Sequence, residues 1–123
     1  MRSSESNGGA DLLPLTPVVL HILLALVDGD RHGYAIAQEV ERLTDGTLRL
    51  GPGTLYGSIR RLQAAGLIEE STAERVPDPG TERRRYYRLL PHGRQALELE
   101  LGRLARVVAL ARAKRLIDRP EPA

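Results

Sequence analysis

The segment from Pro17 to Val27 constrains the fold most strongly, because it is apolar on every side. It reads PVVLHILLALV, and His21 is its one polar residue. Thr16 and Pro17 are typical of a helix start, as N-cap and first helical residue, and the DGD run at residues 28–30 ends the helix. A helix without a polar face is buried all round. The rest of the chain must therefore wrap around it, and we expect His21 to be a packed residue rather than a ligand.

The size and composition of the chain limit what can surround this helix. With 123 residues, no Phe, no Trp and four Tyr, the chain has enough material for one domain with an aliphatic core. A small aliphatic core is helped by dimerisation. The absence of Cys excludes a disulfide framework and a cysteine nucleophile. The N-terminal residues do not resemble a signal peptide and no apolar run spans a bilayer, so we expect a soluble cytoplasmic protein without a membrane partner.

Turn residues divide the middle of the chain into further elements. A second helix is predicted to open at His32 and Gly33 and to end before the Asp45-Gly46 breaker, with one face formed by Tyr34, Ile36, Ala37, Val40 and either Leu43 or Thr44. Residues 47–50 (TLRL) alternate and predict a short strand. A third helix is predicted from Pro52, after a Gly51 cap, to Gly66 as the glycine beyond its end.

The last third of the chain predicts a hairpin followed by one long helix. Residues 67–71 and 83–90 have the composition of strands, and residues 72–82 form the loop between them. We expect Tyr87 to face the core and leave Tyr86 open to either side. The last helix is predicted from Pro91 to about Ile117. It carries apolar residues spaced by 4, 3, 4 and 3, typical of a coiled-coil seam: Leu97, Leu101, Leu104, Val108 and Ala111. A helix of that length exceeds what its own domain can cover, so this seam predicts a homodimer.

These elements predict a mainly α-helical fold with a small β-hairpin wing. The boundaries that follow are a disordered tail at residues 1–14, a winged helix-turn-helix domain at 15–90, a dimerisation helix at 91–117 and a tail at 118–123. A helix, a second and third helix joined by a turn, and a two-stranded hairpin occur in that order in winged helix-turn-helix proteins. In them the second helix of the turn enters the DNA major groove.

Charge is concentrated in the middle of the chain. Residues 1–50 contain four Arg and seven acidic residues, whereas residues 51–95 contain eight Arg and five acidic residues. A basic region of this kind is expected of a protein with an anionic partner. Nearly all the positive charge is Arg, which suits phosphate recognition, although a compositional bias of the genome would have the same effect.

Three motifs in this order resemble the PadR family of bacterial transcriptional regulators. They are HGY at residues 32–34, GTLY at 53–56 and RRYY at 84–87, and the similarity spans about Leu15 to Leu116. The single short C-terminal helix resembles the smaller PadR subfamily. Two positions depart from the family pattern: Gly57 stands where a proline usually follows TLY, and Leu90 stands where a Thr commonly caps the final helix. A mid-helix glycine costs up to about 1 kcal/mol relative to alanine.

The winged helix-turn-helix arrangement identifies candidate DNA contacts. On the third helix these are Thr54, Tyr56, Ser58, Arg60 and Arg61, which supply hydroxyls for phosphate oxygens and guanidinium groups for guanine. In the wing they are Arg83, Arg84 and Arg85. The alternative for Arg60 and Arg61 is a solvated helix face, because arginines near a helix C-terminus are also favoured by its dipole.

The resemblance implies a homodimeric repressor of a pseudo-palindromic operator, released from DNA by a small-molecule effector. Without Phe or Trp, an effector site in this chain would be an aliphatic pocket between the first and last helices. The competing hypothesis is a winged-helix module that binds a protein partner and not DNA. We expect no enzyme activity and no cofactor, because no nucleophile or phosphate-loop motif is present. Asp28, Asp30 and His32 could ligate a metal, but a loop between two helices uses the same residue types.

Overall fold

The computed structural model describes residues 14–71 and 85–118, which form four helices and three short strands. The elements are α1 (Pro17–Ala25), β1 (Arg31–His32), α2 (Gly33–Leu43), α3 (Pro52–Ala64), β2 (Ile68–Glu70), β3 (Tyr86–Leu89) and α4 (Pro91–Ala113). This confirms the mainly helical fold with a small sheet. The predicted N-terminal tail up to residue 13, the loop at 72–82 and the tail beyond Asp118 lie outside the described residues. Among the described helices, none combines the length and apolarity that a bilayer crossing needs.

Helix α1 contributes a buried side to the core, but it is not buried all round as predicted, because Val18, Leu20, His21 and Leu24 are only half-buried. Val19, Ile22 and Leu23 are buried, and they pack in one cluster with residues of α2, α3, the sheet and α4. The start of the helix is confirmed, because the Thr16 side chain accepts a hydrogen bond from the Val19 N–H at 3.2 Å. The helix ends at Ala25, whose carbonyl accepts a hydrogen bond from Arg31 Nε at 2.7 Å. A side chain from the next element therefore completes this helix end.

The sheet has one strand, β1, that the sequence did not predict. Its order is β1-β3-β2 with antiparallel neighbours, and Arg31 and His32 of β1 pair with Tyr87 and Tyr86. The strand predicted at residues 47–50 is absent from the described structure. The alternation of that segment arises because Leu48 and Leu50 pack partly against the core, while the Leu48 N–H donates to the Thr44 hydroxyl at 3.1 Å instead of to a neighbouring strand.

Two glycines set the junctions on either side of the wing. Gly66 has φ +77, a conformation that favours glycine, and it ends α3 where the sequence predicts. Gly93 lies in the first turn of α4 against the carbonyl of Leu67, and a Cβ added there would also lie 2.7 Å from Leu89 Cδ1. The Leu67 carbonyl accepts the N–H of Leu90 at 2.9 Å. The absence of a side chain at position 93 thus lets α4 pack directly on the start of the wing.

Helix α4 leaves the domain about halfway along its length. Its 23 residues span about 35 Å, and it ends at Ala113, four residues before the predicted end. Its buried residues are Gly93, Ala96, Leu97 and Glu100. From Leu101 to Asp118 no residue is buried, although exposed apolar side chains continue along this stretch: Leu101, Val107, Val108, Leu110, Leu116 and Ile117. The C-terminal half of α4 is therefore uncovered in one copy of the chain.

A buried carboxylate marks the point where α4 leaves the domain. Glu100 is 1% exposed, and Arg103 binds it through two hydrogen bonds of 2.9 and 2.8 Å. These bonds hold the pKa of Glu100 below its ordinary value, and a backbone hydrogen bond from Leu15 acts in the same direction. Because a buried charge is costly unless it is paired, Arg103 and the Leu15 backbone together fix α4 against the start of α1.

We expect Glu100→Gln to lower the free energy of unfolding at pH 7. The amide has no charge and cannot accept both Arg103 bonds as a carboxylate does. The lowered pKa means that the carboxylate contributes stability above the unfolded value of about 4.3 and loses it as pH falls through the folded pKa. Urea unfolding at fixed protein concentration should therefore show a larger difference from wild type at pH 7 than at pH 3. Glu98→Gln, on an exposed side of the same helix, should leave the free energy of unfolding unchanged at both pH values. If the loss of free energy of unfolding in Glu100→Gln grew as pH falls, a stabilising role of the charged Glu100–Arg103 pair would be contradicted.

Candidate nucleic-acid interface

Helix α3 has a buried side and an exposed side that carries positive charge. Leu55, Ile59 and Leu62 are buried against the core, which leaves the opposite side to solvent. Thr54, Tyr56, Arg60 and Arg61 are all exposed. Arg61 follows Thr54 by seven positions and Arg60 follows Tyr56 by four positions. Each pair therefore lies along one flank of the exposed side. The structure therefore brings together four of the five residues predicted on this helix, here called the α3 surface.

Ser58 does not belong to the α3 surface. It is 3% exposed, and it lies toward the buried side because position 58 is four residues from Leu62 and three from Leu55. A side chain in that position cannot reach a partner outside the domain. Its inclusion among the predicted contacts was wrong, because a polar residue was assumed to point to solvent.

Tyr56 has a packing role that links the two helices of the turn. Its ring lies on the backbone of Gly33 at the start of α2: a Cβ added at Gly33 would lie 2.7 Å from Tyr56 Cζ and 2.9 Å from Cε1. The side chain is nevertheless 39% exposed. The HGY and GTLY motifs thus meet in space, and only part of the Tyr56 ring is available to a partner.

This contact gives a prediction for two helical glycines. Gly33→Ala should lower the free energy of unfolding by about 1 kcal/mol, because the new methyl group overlaps the outer atoms of the Tyr56 ring and this partly exposed ring must shift. Gly57→Ala should instead raise it by up to about 1 kcal/mol, because no described atom lies within 4 Å of a Cβ there and alanine is the better helix former. Urea unfolding of both variants measures the two changes. The same sign for both would show that Tyr56 does not rest on Gly33 as described.

The wing contributes one described arginine to the predicted set. Arg83 and Arg84 lie outside the described residues. The Arg85 side chain is 72% exposed, and its Nε lies 3.9 Å from a Glu70 carboxylate oxygen. Arg88 is closely paired across the sheet with Glu69, at 2.6 Å. Tyr87 is buried as predicted, and burial raises the pKa of its hydroxyl. The charge that this part of the wing offers a partner is thus carried mainly by Arg85.

The N-terminal end of α2 contains an exposed tyrosine that was predicted to face the core. Tyr34 is 62% exposed and its ring is parallel to that of His32, with centroids 6.4 Å apart. Leu43, at the other end of the predicted face, is 42% exposed. The buried residues of α2 are Gly33, Ile36 and Val40. The predicted face was therefore wrong at Tyr34, and at its other end the half-buried Thr44 fits the prediction better than the exposed Leu43.

Two of the three residues considered as metal ligands, Asp30 and His32, have other partners. His32 Nδ1 accepts the Ala35 N–H at 3.1 Å and so caps α2. Asp30 accepts a hydrogen bond from the Ser71 hydroxyl at 2.6 Å. In the described part of the chain, no group of three or more His, Asp or Glu side chains is placed to hold a metal ion. The sequence pattern at residues 28–32 is explained by a helix cap and a link to the end of β2.

The predicted dimer seam begins inside the domain and continues beyond it. Leu97 is buried in the core of its own chain, at 3% exposure. Leu104 and Ala111 are half-buried, and Leu101 and Val108 are exposed. Leu97 therefore serves the fold of one copy, and the remaining four positions form the part of the seam that another molecule could cover.

This arrangement is that of a winged helix-turn-helix protein of the type that binds DNA. Helices α2 and α3 form the helix-turn-helix, the three-stranded sheet beside them forms the wing, and α3 has an exposed basic side. The model of the transcriptional regulator PadR-like family matches residues 20–99. The chain belongs to this family, as its three motifs suggest.

Individual relatives show similarity over most of the chain. The transcriptional regulator Rv3488 of Mycobacterium tuberculosis (strain ATCC 25618 / H37Rv) is 42% identical over 80 residues, which are 65% of this chain and 68% of that protein. An uncharacterised 37.1 kDa protein in transposon TN4556 of Streptomyces fradiae is 41% identical over 86 residues. These residues are 70% of this chain but only 22% of that longer protein.

Solved structures show the same fold. A transcriptional regulator from Clostridium thermocellum, Cth-833, is 26% identical with a TM-score of 0.64, and the match covers 92% of this chain and 97% of that one. Bacillus subtilis PadR in complex with operator DNA has a TM-score of 0.59 at 19% identity, with 89% of this chain and 52% of that chain covered. The second similarity concerns the fold alone.

Proposed function

We propose that this protein is a transcriptional regulator that binds a specific operator in double-stranded DNA through the α3 surface. The observation that carries this proposal is the grouping of Thr54, Tyr56, Arg60 and Arg61 on the exposed side of a helix that contains no acidic residue. A helix in this position of a winged helix-turn-helix lies in the major groove. There an arginine can bind guanine O6 and N7 through two hydrogen bonds.

The shape of α3 also fits close approach to a duplex. Gly53 and Gly57 lie one turn apart on its outer side, and no described atom lies within 4 Å of a Cβ at either position. The packing of the chain itself therefore does not require glycine there, whereas a groove that receives the helix backbone would favour small residues. Thr54, in the first turn of α3, adds a hydroxyl at the helix end that attracts phosphate.

We further propose that the active form is a homodimer joined along the C-terminal half of α4. Leu101, Leu104, Val108 and Ala111 follow the 4-3 spacing of a helix pair, and none of them is buried in the single copy. A two-fold dimer would present its two α3 helices about one helical turn, roughly 34 Å, apart and would bind a pseudo-palindromic operator. Arg85, with Arg83 and Arg84, would contact the phosphate backbone beside each α3.

We also propose that the protein acts in the cytoplasm and represses transcription by occupying a promoter. A small-molecule effector would release it from the DNA. The family to which the chain belongs consists of transcriptional regulators, and B. subtilis PadR, which shares its fold, binds operator DNA. Both findings support a regulator that acts by binding DNA, and competition with the transcription machinery for that site is the mode of action that we propose.

Titration of a fluorescently labelled duplex from the region upstream of its own gene tests the DNA-binding proposal. Fluorescence anisotropy at two salt concentrations should show specific binding that weakens at the higher salt, because arginine contacts release counterions from phosphate. A scrambled duplex of equal length is the control. Absence of binding, or binding that ignores salt, would favour the alternative of a protein-interaction module. The anchors of such a module would be expected to be aromatic or aliphatic rather than basic.

A further inference from the structure

The crevice between the two helices of the turn is a cavity of a size that small molecules occupy. It has a volume of about 470 Å³ and lies between α2 and the first turns of α3. Binding sites for small ligands usually have volumes of about 300–1,000 Å³. This crevice is separate from the exposed seam on α4 and from the core between α1 and α4.

The walls of the crevice are largely apolar and include two of the four tyrosines in the chain. Tyr34 on α2 and Tyr56 on α3 both line it, and Leu50 and Pro52 add aliphatic surface. Tyr34 is 62% exposed and Tyr56 is 39% exposed. An exposed aromatic ring beside a cavity offers a face on which another planar ring can stack.

The polar groups of the crevice carry no net charge. Glu41 and Arg49 both belong to the lining, and Arg49 Nε lies 3.5 Å from a Glu41 carboxylate oxygen. The third polar side chain is Gln38, which can donate and accept hydrogen bonds. Because Glu41 and Arg49 are paired with each other, neither is left to neutralise a charged ligand, which would lose hydration without gaining a partner. The lining therefore favours an uncharged molecule with a few hydrogen-bonding atoms.

We propose that the crevice between α2 and α3 binds a small, planar, uncharged molecule, stacked on Tyr34 and Tyr56 and hydrogen-bonded to Gln38. Bound there, the molecule opposes DNA binding directly. Tyr56 belongs both to the crevice and to the α3 surface, and the first helix of such a turn crosses the DNA backbone. This second step depends on the proposed function, whereas the binding site itself does not.

Coumarin is a suitable probe, because it is planar, uncharged and small enough for the cavity. In a titration followed by two-dimensional ¹⁵N–¹H NMR of the full chain, we expect shifts of amides at residues 34–41 and 49–56 and no saturable shifts in α4. Coumarin-3-carboxylate, the anionic analogue, should bind at least about tenfold more weakly, because its carboxylate would lose hydration while Arg49 is already paired with Glu41. No saturable binding of coumarin at millimolar concentration, shifts confined to α4, or equal affinity for the anion would overturn the proposal.

Two variants with matched controls test the position of the site. Tyr34→Ala removes one ring, and Ala37→Leu fills part of the crevice; each should weaken coumarin binding at least about fivefold. Leu99→Ala removes an apolar side chain of similar exposure, 59%, from α4, and Ala105→Leu enlarges an exposed alanine on the same helix. Both controls should bind coumarin as wild type does. Wild-type affinity in Tyr34→Ala and Ala37→Leu would place the molecule elsewhere and overturn the proposal.

Competition with DNA separates the site from the proposed function. At ten times the dissociation constant of coumarin, the apparent Kd for the operator duplex should rise about tenfold, as expected for simple competition. If the protein binds no duplex while coumarin still shifts the crevice amides, the proposed function fails and the site stands. If the duplex binds and saturating coumarin leaves its affinity unchanged, the proposed opposition to DNA is overturned.

Discussion

Replacing both Arg60 and Arg61 with alanine is expected to weaken operator binding by about 100-fold or more. Each guanidinium group that binds a base edge through two hydrogen bonds contributes about 1–3 kcal/mol, and loss of a phosphate contact also reduces affinity at low salt. Both side chains are exposed on α3. We therefore expect the double variant to retain the wild-type unfolding midpoint. Anisotropy titrations with the wild-type operator measure the loss, and the single variants show how the two residues share it.

Arg112→Ala is the matched control for the arginine variants. Arg112 lies in the last turn of α4, as Arg61 lies in the last turn of α3, and both are exposed. Its removal takes one positive charge from the protein, as each single variant at position 60 or 61 does, at a place away from the α3 surface. It should change operator affinity less than about twofold, through the general field of the protein alone. If the double variant at positions 60 and 61 bound like this control, the α3 surface would not be the DNA interface.

Replacing Leu104 with glutamate is expected to convert the proposed homodimer into monomers. Leu104 is half-buried in the single chain and lies in the middle of the exposed part of the seam. In a symmetric helix pair the substitution places two like charges close to each other in an apolar contact, which is costly. Sedimentation velocity should give a monomer at concentrations where wild type is a dimer. Operator affinity should fall steeply, because one recognition helix then binds without the other.

Leu99→Glu makes the same chemical change on the opposite side of α4. Position 99 is five residues before 104, half a turn away around the helix, and Leu99 is 59% exposed. This variant should remain a dimer. Far-UV circular dichroism of both variants should match wild type, so that a change of mass is not confused with unfolding. If Leu104→Glu remained a dimer of wild-type stability, the interface would have to lie on another surface.

Helix ends could be predicted from the sequence where proline, glycine and threonine mark them. Thr16 and Pro17 start α1, Gly51 and Pro52 start α3, and Gly66 follows its end. Strand β1 could not be predicted, because two residues show no alternation and their pairing depends on Tyr86 and Tyr87 far along the chain. The end of α4 was predicted four residues too late, because no glycine or proline marks it. The next such residue is Pro120, whereas the chain turns at Arg115 with φ +63.

The candidate site was predictable in outline and not in detail. Helical periodicity identified the exposed side of α3, since Leu55, Ile59 and Leu62 clearly mark its buried side. Ser58 was predicted on the exposed side because of its hydroxyl, although its spacing from Leu55 and Leu62 places it on the buried side. Helical periodicity could not show that Tyr56 rests on Gly33, or that Glu100 is buried, because both depend on contacts between elements. A charged residue in a helix pattern is normally assigned to the surface.

The distance between the two α3 helices in the free dimer tests the central claim most directly. The chain has no native cysteine, so Thr54→Cys introduces one spin-labelling site per copy at the start of α3. Electron paramagnetic resonance should then show a dipolar distance distribution centred near 34 Å, the separation of successive major grooves on one side of the duplex. A distribution centred below about 20 Å, or no dipolar coupling at protein concentrations where the wild-type protein binds the operator, would contradict a dimer that presents its α3 surfaces to adjacent turns of DNA.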